Sequence, residues 1–135
     1  IQPPDRCPLT FYREGCADRE LTPDDVARAP VSEAEVVVLT GTGLSHEPSR
    51  AATLLAASQA KAAGSQVFVD LDYRADQWAT RSDYAAALRL LLPAATVVVG
   101  TEEEVAAAAD REDPAASCGV VRAGSTGTPS SRYGC

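Results

Sequence analysis

Methionine is absent from this sequence, and lysine, histidine and tryptophan occur once each, as Lys61, His46 and Trp78. Without methionine, Ile1 is not an ordinary retained translation start, and the chain reads as processed, excised or incomplete. One histidine beside four cysteines (Cys7, Cys16, Cys118 and Cys135), none in a C-x-x-C pair, leaves too few soft ligands in the right spacing for a zinc site. A Cys7–Cys16 bridge would suit an oxidising compartment. An α/β chain with its own core needs no such staple, so the thiols read as reduced and the location as cytoplasmic. No apolar run approaches the roughly 18 residues of a spanning helix, and Ile1–Arg6 carries no signal-peptide pattern, so no membrane partner is expected. Basic residues are also in deficit. Twelve Lys and Arg against nineteen Asp and Glu give a net charge of −7, which argues against a nucleic-acid or anionic-membrane surface.

What remains is the composition of one folded domain: 135 residues, 45% hydrophobic and 23% charged, rich in alanine. Short β-branched runs alternate with longer alanine- and leucine-rich segments. Glu35–Thr40, Gln66–Leu71, Thr96–Val99 and Gly119–Arg122 are nearly continuous apolar runs, the pattern of parallel strands covered on both faces. Between them the spacing predicts helices over Ser49–Ala63, with Pro48 near its first turn and Gly64 at its end, over Ser82–Leu92, stopped by Pro93, and from Glu102 onward. In the first, Ala51, Leu54, Leu55 and Ala62 are expected on the inner side and Arg50, Thr53 and Lys61 on the outer. In the second, Tyr84, Leu88, Leu91 and Leu92 form the apolar side. Leu9–Arg13 reads as a further strand, and Thr22-Pro23-Asp24-Asp25 as a capped helix start. Residues 124–135 read as an irregular tail. The expected fold is a three-layer, mostly parallel, doubly wound α/β sheet, incomplete in this chain.

Ligands of open parallel sheets bind beyond the carboxyl ends of the strands. Three such ends are rich in glycine and polar groups: Gly41-Thr42-Gly43, Asp70-Leu71-Asp72-Tyr73-Arg74 and Gly100-Thr101-Glu102-Glu103-Glu104. The glycines of the first suit either a plain turn or a phosphate contact, without matching the dinucleotide fingerprint or the P-loop. Asp70 and Asp72 invite a haloacid-dehalogenase-like phosphatase reading, with Asp70 as nucleophile. Arg74 stands where that chemistry wants Thr or Val, and no lysine follows the motif. The plainer alternative pairs Asp72 with Arg74. Thr101 and Glu104 have the letters of a capping box, while three carboxylates at the edge could also hold Mg²⁺ through water. Trp78 reads as packing a loop on the sheet, and His46 as a loop residue without a triad partner.

In order and spacing, Pro8-Leu9-Thr10-Phe11-Tyr12-Arg13-Glu14 with Cys16-Ala17-Asp18, then Thr40-Gly41-Thr42-Gly43-Leu44-Ser45, then Asp70-Leu71-Asp72-Tyr73-Arg74 with Trp78, then Val99-Gly100-Thr101-Glu102-Glu103-Glu104 resemble the PfkB (ribokinase-like) carbohydrate kinases over roughly Pro8 to Gly124. The resemblance implies ATP- and Mg²⁺-dependent phosphoryl transfer to the primary hydroxyl of a small sugar acid, 5-dehydro-2-deoxygluconate or, as the alternative, 2-keto-3-deoxygluconate. It implies that Phe11, Arg13, Asp72 and Arg74 face the substrate, Arg74 at its carboxylate end, and that Thr101, Glu104 and Gly124 organise the nucleotide phosphates and Mg²⁺ without direct metal ligation. Thr101 stands where many relatives have Asn. The family's catalytic Asp lies in a Gly-Ala-Gly-Asp segment that does not occur in this sequence, so no catalytic residue is assigned and the chain alone is expected to be inactive. A non-catalytic α/β binding module is the alternative. Homo-oligomerisation of a longer parent stays open, and a sheet lacking strands is expected to expose apolar surface.

Overall fold

The computed structural model describes residues 12–111. Three parallel strands, β1 (Val36–Thr40), β2 (Gln66–Asp70) and β3 (Val97–Val99), lie side by side in that order. Val37 is opposite Val67, Leu39 opposite Val69, and Val69 opposite Val98, which puts these five residues on one face, while Phe68 lies on the other with Val38 and Val97. The helices are α1 (Pro23–Arg28), α2 (Ser49–Ala63), α3 (Arg81–Leu91) and α4 (Glu102–Ala108). No helix among the described residues is long and apolar enough to cross a membrane.

Right-handed crossovers explain why the helices share one side. Each strand follows its predecessor in the same direction across the sheet, so each connecting helix falls on the same face. A second winding requires the strand order to reverse, and these three strands do not. The described residues therefore build two of the three expected layers. The opposite face bears Val36, Val38 and Val99, which are 51%, 67% and 47% exposed. This is the incompleteness and the apolar surface that the sequence predicts.

The helices begin and end where local chemistry requires. Thr22 and Asp25 close a reciprocal capping box at the start of α1, with Pro23 at its first position. Gly64 ends α2 in the left-handed region at φ 82°, a conformation that costs a side chain energy. Thr80 accepts from the Asp83 amide at 3.1 Å, so α3 starts at Arg81 rather than Ser82. Leu92–Ala94 forms a tighter 3-10 turn, because Pro93 cannot continue an α-helix. The expected faces of α2 are corrected. Ser49, Ala52, Thr53, Ala56, Ala57 and Ala60 are buried, whereas Ala51 and Ala62 are exposed and Leu54 and Leu55 half-buried. The inner stripe consists of small residues, which lets the helix axis come close to its neighbours. Tyr84, Leu88, Leu91 and Leu92 are buried as expected. Tyr12 and Arg13 are not strand residues, and the rest of Leu9–Arg13, the Gly119–Arg122 run and the 124–135 tail lie outside the described residues.

The core centres on Leu71, the residue after β2. Its amide donates to the Val99 carbonyl at 2.9 Å, and its own carbonyl accepts from the Tyr84 hydroxyl at 2.7 Å. A Cβ on Gly41 would lie 2.0 Å from that carbonyl oxygen, and one on Gly100 2.8 Å from the Leu71 Cδ1. Two glycines and a tyrosine thus fix one residue from three directions. Tyr84→Phe strands a buried acceptor and is expected to cost about 1–3 kcal/mol in urea unfolding. Gly41→Ala should cost more, because backbone must move to make room for the new carbon.

Candidate functional site at the carboxyl edge of the sheet

Thr40, Asp70 and Val99 are in register, so the three loops singled out in the sequence do emerge along one edge. The first loop is a 3-10 turn over Gly41–Leu44. Gly41 is required by the Leu71 carbonyl, and Gly43 by Thr53, whose Oγ1 a Cβ would approach to 2.7 Å. Close packing accounts for both glycines without a phosphate.

From this turn a hydrogen-bonded chain runs into the second loop. The Thr42 hydroxyl donates to Asp72 Oδ2 at 3.0 Å. Its hydrogen is then committed, so Thr40 Oγ1, 2.9 Å away, is the donor to Thr42. Asp72 sits at φ 39°, a left-handed conformation that aspartate tolerates better than most residues, and its Oδ1 takes Arg74 Nη2 at 2.6 Å. The pairing of Asp72 with Arg74 is therefore present, and it is partly buried. Asp72 orients the guanidinium, and Thr42 and Thr40 orient Asp72.

Asp70 accepts the Asp72 amide at 3.2 Å. Burial pushes its carboxyl above the ordinary range, and the negative charges of Asp72 and Glu104 push it further. A phosphorylatable aspartate must be ionised, the form this environment disfavours. Tyr84 is raised for similar reasons, burial first and then Glu104, Asp72 and Asp70, and stays a neutral donor. At the third loop, Thr101 accepts from the Glu104 amide at 3.3 Å while Glu104 Oε2 accepts from the Thr101 amide at 2.7 Å. The capping box is formed. Among the described residues no group of three or more His, Cys, Asp or Glu could hold a metal ion, so Glu102, Glu103 and Glu104 do not converge on a cation site.

Arg13 reaches this region from outside the sheet. Its Nη1 donates to the Thr42 carbonyl at 3.2 Å, to Ser45 Oγ at 3.3 Å and to Gln77 Oε1, and its Nη2 pairs with Asp18. With a side chain only 12% exposed, it ties the preceding segment to the first and second loops. Phe11 and Gly124 lie outside the described residues. Trp78 packs edge-on against Tyr84, with ring centroids 5.3 Å apart, as expected of a loop anchor. Ser45, Gln77 and the Tyr84 hydroxyl were not singled out by sequence reasoning. An apolar-face tyrosine gives a hint, since a buried phenol needs an acceptor, but nothing in the sequence names which one.

The charge at Asp70 has a measurable consequence. Its folded-state pKa is raised, so the folded protein holds a proton that the unfolded chain releases, and stability falls as pH rises through that range. Asp70→Asn keeps the acceptor for the Asp72 amide and removes the charge. It should stabilise the protein at neutral pH, and the gain should vanish below the ordinary aspartate value of 3.8. Urea unfolding at several pH values checks this.

Known proteins resemble this arrangement over most of its length. The chain is 42% identical over 104 residues to the 5-dehydro-2-deoxygluconokinase of Shouchella clausii (strain KSM-K16), an alignment covering 77% of this chain and 32% of the relative. It thus spans about a third of the length of the curated relatives it matches. Aminoimidazole riboside kinase from Salmonella enterica superposes with a TM-score of 0.72 at 18% identity, over 85% of this chain and 38% of that one. Fructokinase from Xylella fastidiosa does so with a TM-score of 0.70 at 25% identity, over 84% and 36%. The model for the pfkB family carbohydrate kinases matches residues 3–126. With that match running over most of its length, the chain belongs to the pfkB carbohydrate kinase family.

Proposed function

We propose that this chain is the sugar-facing part of a kinase that transfers a phosphoryl group from ATP to the primary hydroxyl of 5-dehydro-2-deoxygluconate. The observation that carries the proposal is Arg74, held by Asp72 at the carboxyl edge of the sheet. A guanidinium presents N–H donors in a planar fork whose geometry matches a carboxylate, the group that ends a sugar acid. Asp72 supplies the matching acceptor for a sugar hydroxyl. The 5-dehydro-2-deoxygluconokinase relatives favour this sugar acid over 2-keto-3-deoxygluconate.

Arg13 belongs to the wall of the proposed site. Its direct contact with the sugar, expected from the family resemblance, requires it to release Ser45 or Gln77. Phe11 is assigned to the sugar side and Gly124 to the nucleotide side on resemblance alone. Thr101 and Glu104 fix the start of α4, and through it the loop proposed to lie near the phosphates. ATP would supply the phosphoryl group, and Mg²⁺ would neutralise its charge. The cytoplasm is the proposed location.

Removing a charge-assisted hydrogen bond of this kind costs about 1.5–3 kcal/mol, roughly 10- to 100-fold in affinity. In the longer kinase carrying this segment, Arg74→Ala is therefore expected to raise KM for 5-dehydro-2-deoxygluconate by that factor. An unchanged KM removes Arg74 from the site. The 135-residue chain has no Gly-Ala-Gly-Asp segment to supply the base, and turnover of ATP and sugar acid by the purified chain would contradict the assignment.

A further inference from the structure

A cavity of about 490 Å³ opens between the start of α2 and the face of α3, with neither Asp72 nor Arg74 in its lining. Ser45, His46, Arg50, Gln77, Trp78 and Asp83 contribute to its lining. The only histidine and the only tryptophan of the chain meet there.

Ser45 determines the state of the histidine. Its hydroxyl hydrogen goes to the Thr42 carbonyl at 2.8 Å, so its oxygen can only accept from Arg13 Nη1 at 3.3 Å and His46 Nδ1 at 2.9 Å. His46 therefore keeps a proton on Nδ1, and Nε2 is the nitrogen that titrates. Burial lowers its pKa, and the positive charges of Arg19, Arg13 and Arg50 lower it further. Arg50 gives Nε to the Leu44 carbonyl at 2.6 Å, which fixes its guanidinium 6.0 Å from the centre of the Trp78 ring.

The acids nearby are already engaged. Asp18 takes Arg13, Glu47 lies 3.9 Å from Arg50, and Asp83 Oδ2 accepts the Thr80 hydroxyl at 2.7 Å. In the wall, Gln77 Nε2 and Trp78 Nε1 are buried donors without an acceptor. Buried N–H groups left in that state cost free energy that a bound acceptor returns. One guanidinium, two orphan donors and a cavity beside them share one complement. We propose that this cavity binds a small oxyanion, a carboxylate or a phosphate group, held by Arg50 with the Gln77 amide and the Trp78 indole N–H as neutral donors, and joined by His46 Nε2–H when the ring is protonated. The proposal uses neither Asp72 nor Arg74 and stands or falls independently of the kinase reading.

The lone His46 and Trp78 give the site two built-in reporters. The purified chain is titrated at constant ionic strength with inorganic phosphate and, separately, with gluconate, following the His46 ring proton by NMR and Trp78 by fluorescence. Binding with a dissociation constant on the order of 1 mM is expected. An anion beside the ring should also move the His46 titration midpoint upward by about one pH unit. Arg50→Gln should weaken binding about tenfold or more, and Asp83→Asn, which removes the one acid of the lining, should tighten it. Asp83 is exposed, so its variant carries the test if Arg50→Gln does not fold. A response to only one of the two probes supports the site and identifies which oxyanion it takes. No response up to about 50 mM of either, or a response indifferent to both substitutions, overturns the proposal.

Discussion

Everything at the carboxyl edge depends on the backbone of Leu71. A parallel sheet orders its strands, but the loops beyond it are free to diverge unless something collects them. Here the collector is one peptide group. The Tyr84 hydroxyl from α3 meets the Leu71 carbonyl, Gly41 presses on the same oxygen from the first loop, and Gly100 packs against the side chain from the third. Asp72 and Arg74 follow immediately, so their positions inherit that fixation. The same contact explains why a helix face otherwise made of leucine and alanine contains a tyrosine.

Charge is distributed across this edge with a clear division of work. Asp70 is partly buried among other acids and disfavours ionisation. Asp72 is compensated by Arg74 and by the Thr42 hydroxyl. Two carboxylates two residues apart thus have different roles, one lining the loop and one aiming a cation. This is why the Asp-x-Asp spacing alone misleads toward a phosphoryl-accepting aspartate. The neighbours of an acid determine its chemistry more than its place in a motif does.

The strands, the helix boundaries and the converging edge were legible because they rest on local rules: β-branched runs, Thr caps, Gly64 and Pro93. The two capping boxes are spelled out in adjacent letters. The inner face of α2 was not legible, because alanine is ambivalent and the half-buried Leu54 and Leu55 outweighed the small stripe that packs. The family resemblance points to Arg13 as a sugar contact, but its part as a staple is not legible, since its partners Ser45 and Gln77 lie 32 and 64 residues away. Long-range hydrogen bonds leave no periodicity. The purposes of Gly41 and Gly100 were hidden for the same reason: each answers to Leu71, whose place is known only after folding.

On the proposed function, the carboxyl edge reads a sugar acid and Arg74 recognises its carboxylate. The most direct measurement compares kcat/KM of the longer kinase carrying this segment for 5-dehydro-2-deoxygluconate and for the same sugar with its carboxylate reduced to an alcohol. Loss of a charge-assisted pair predicts that the reduced sugar is poorer by about 10- to 100-fold. Equal use of the two sugars would contradict it.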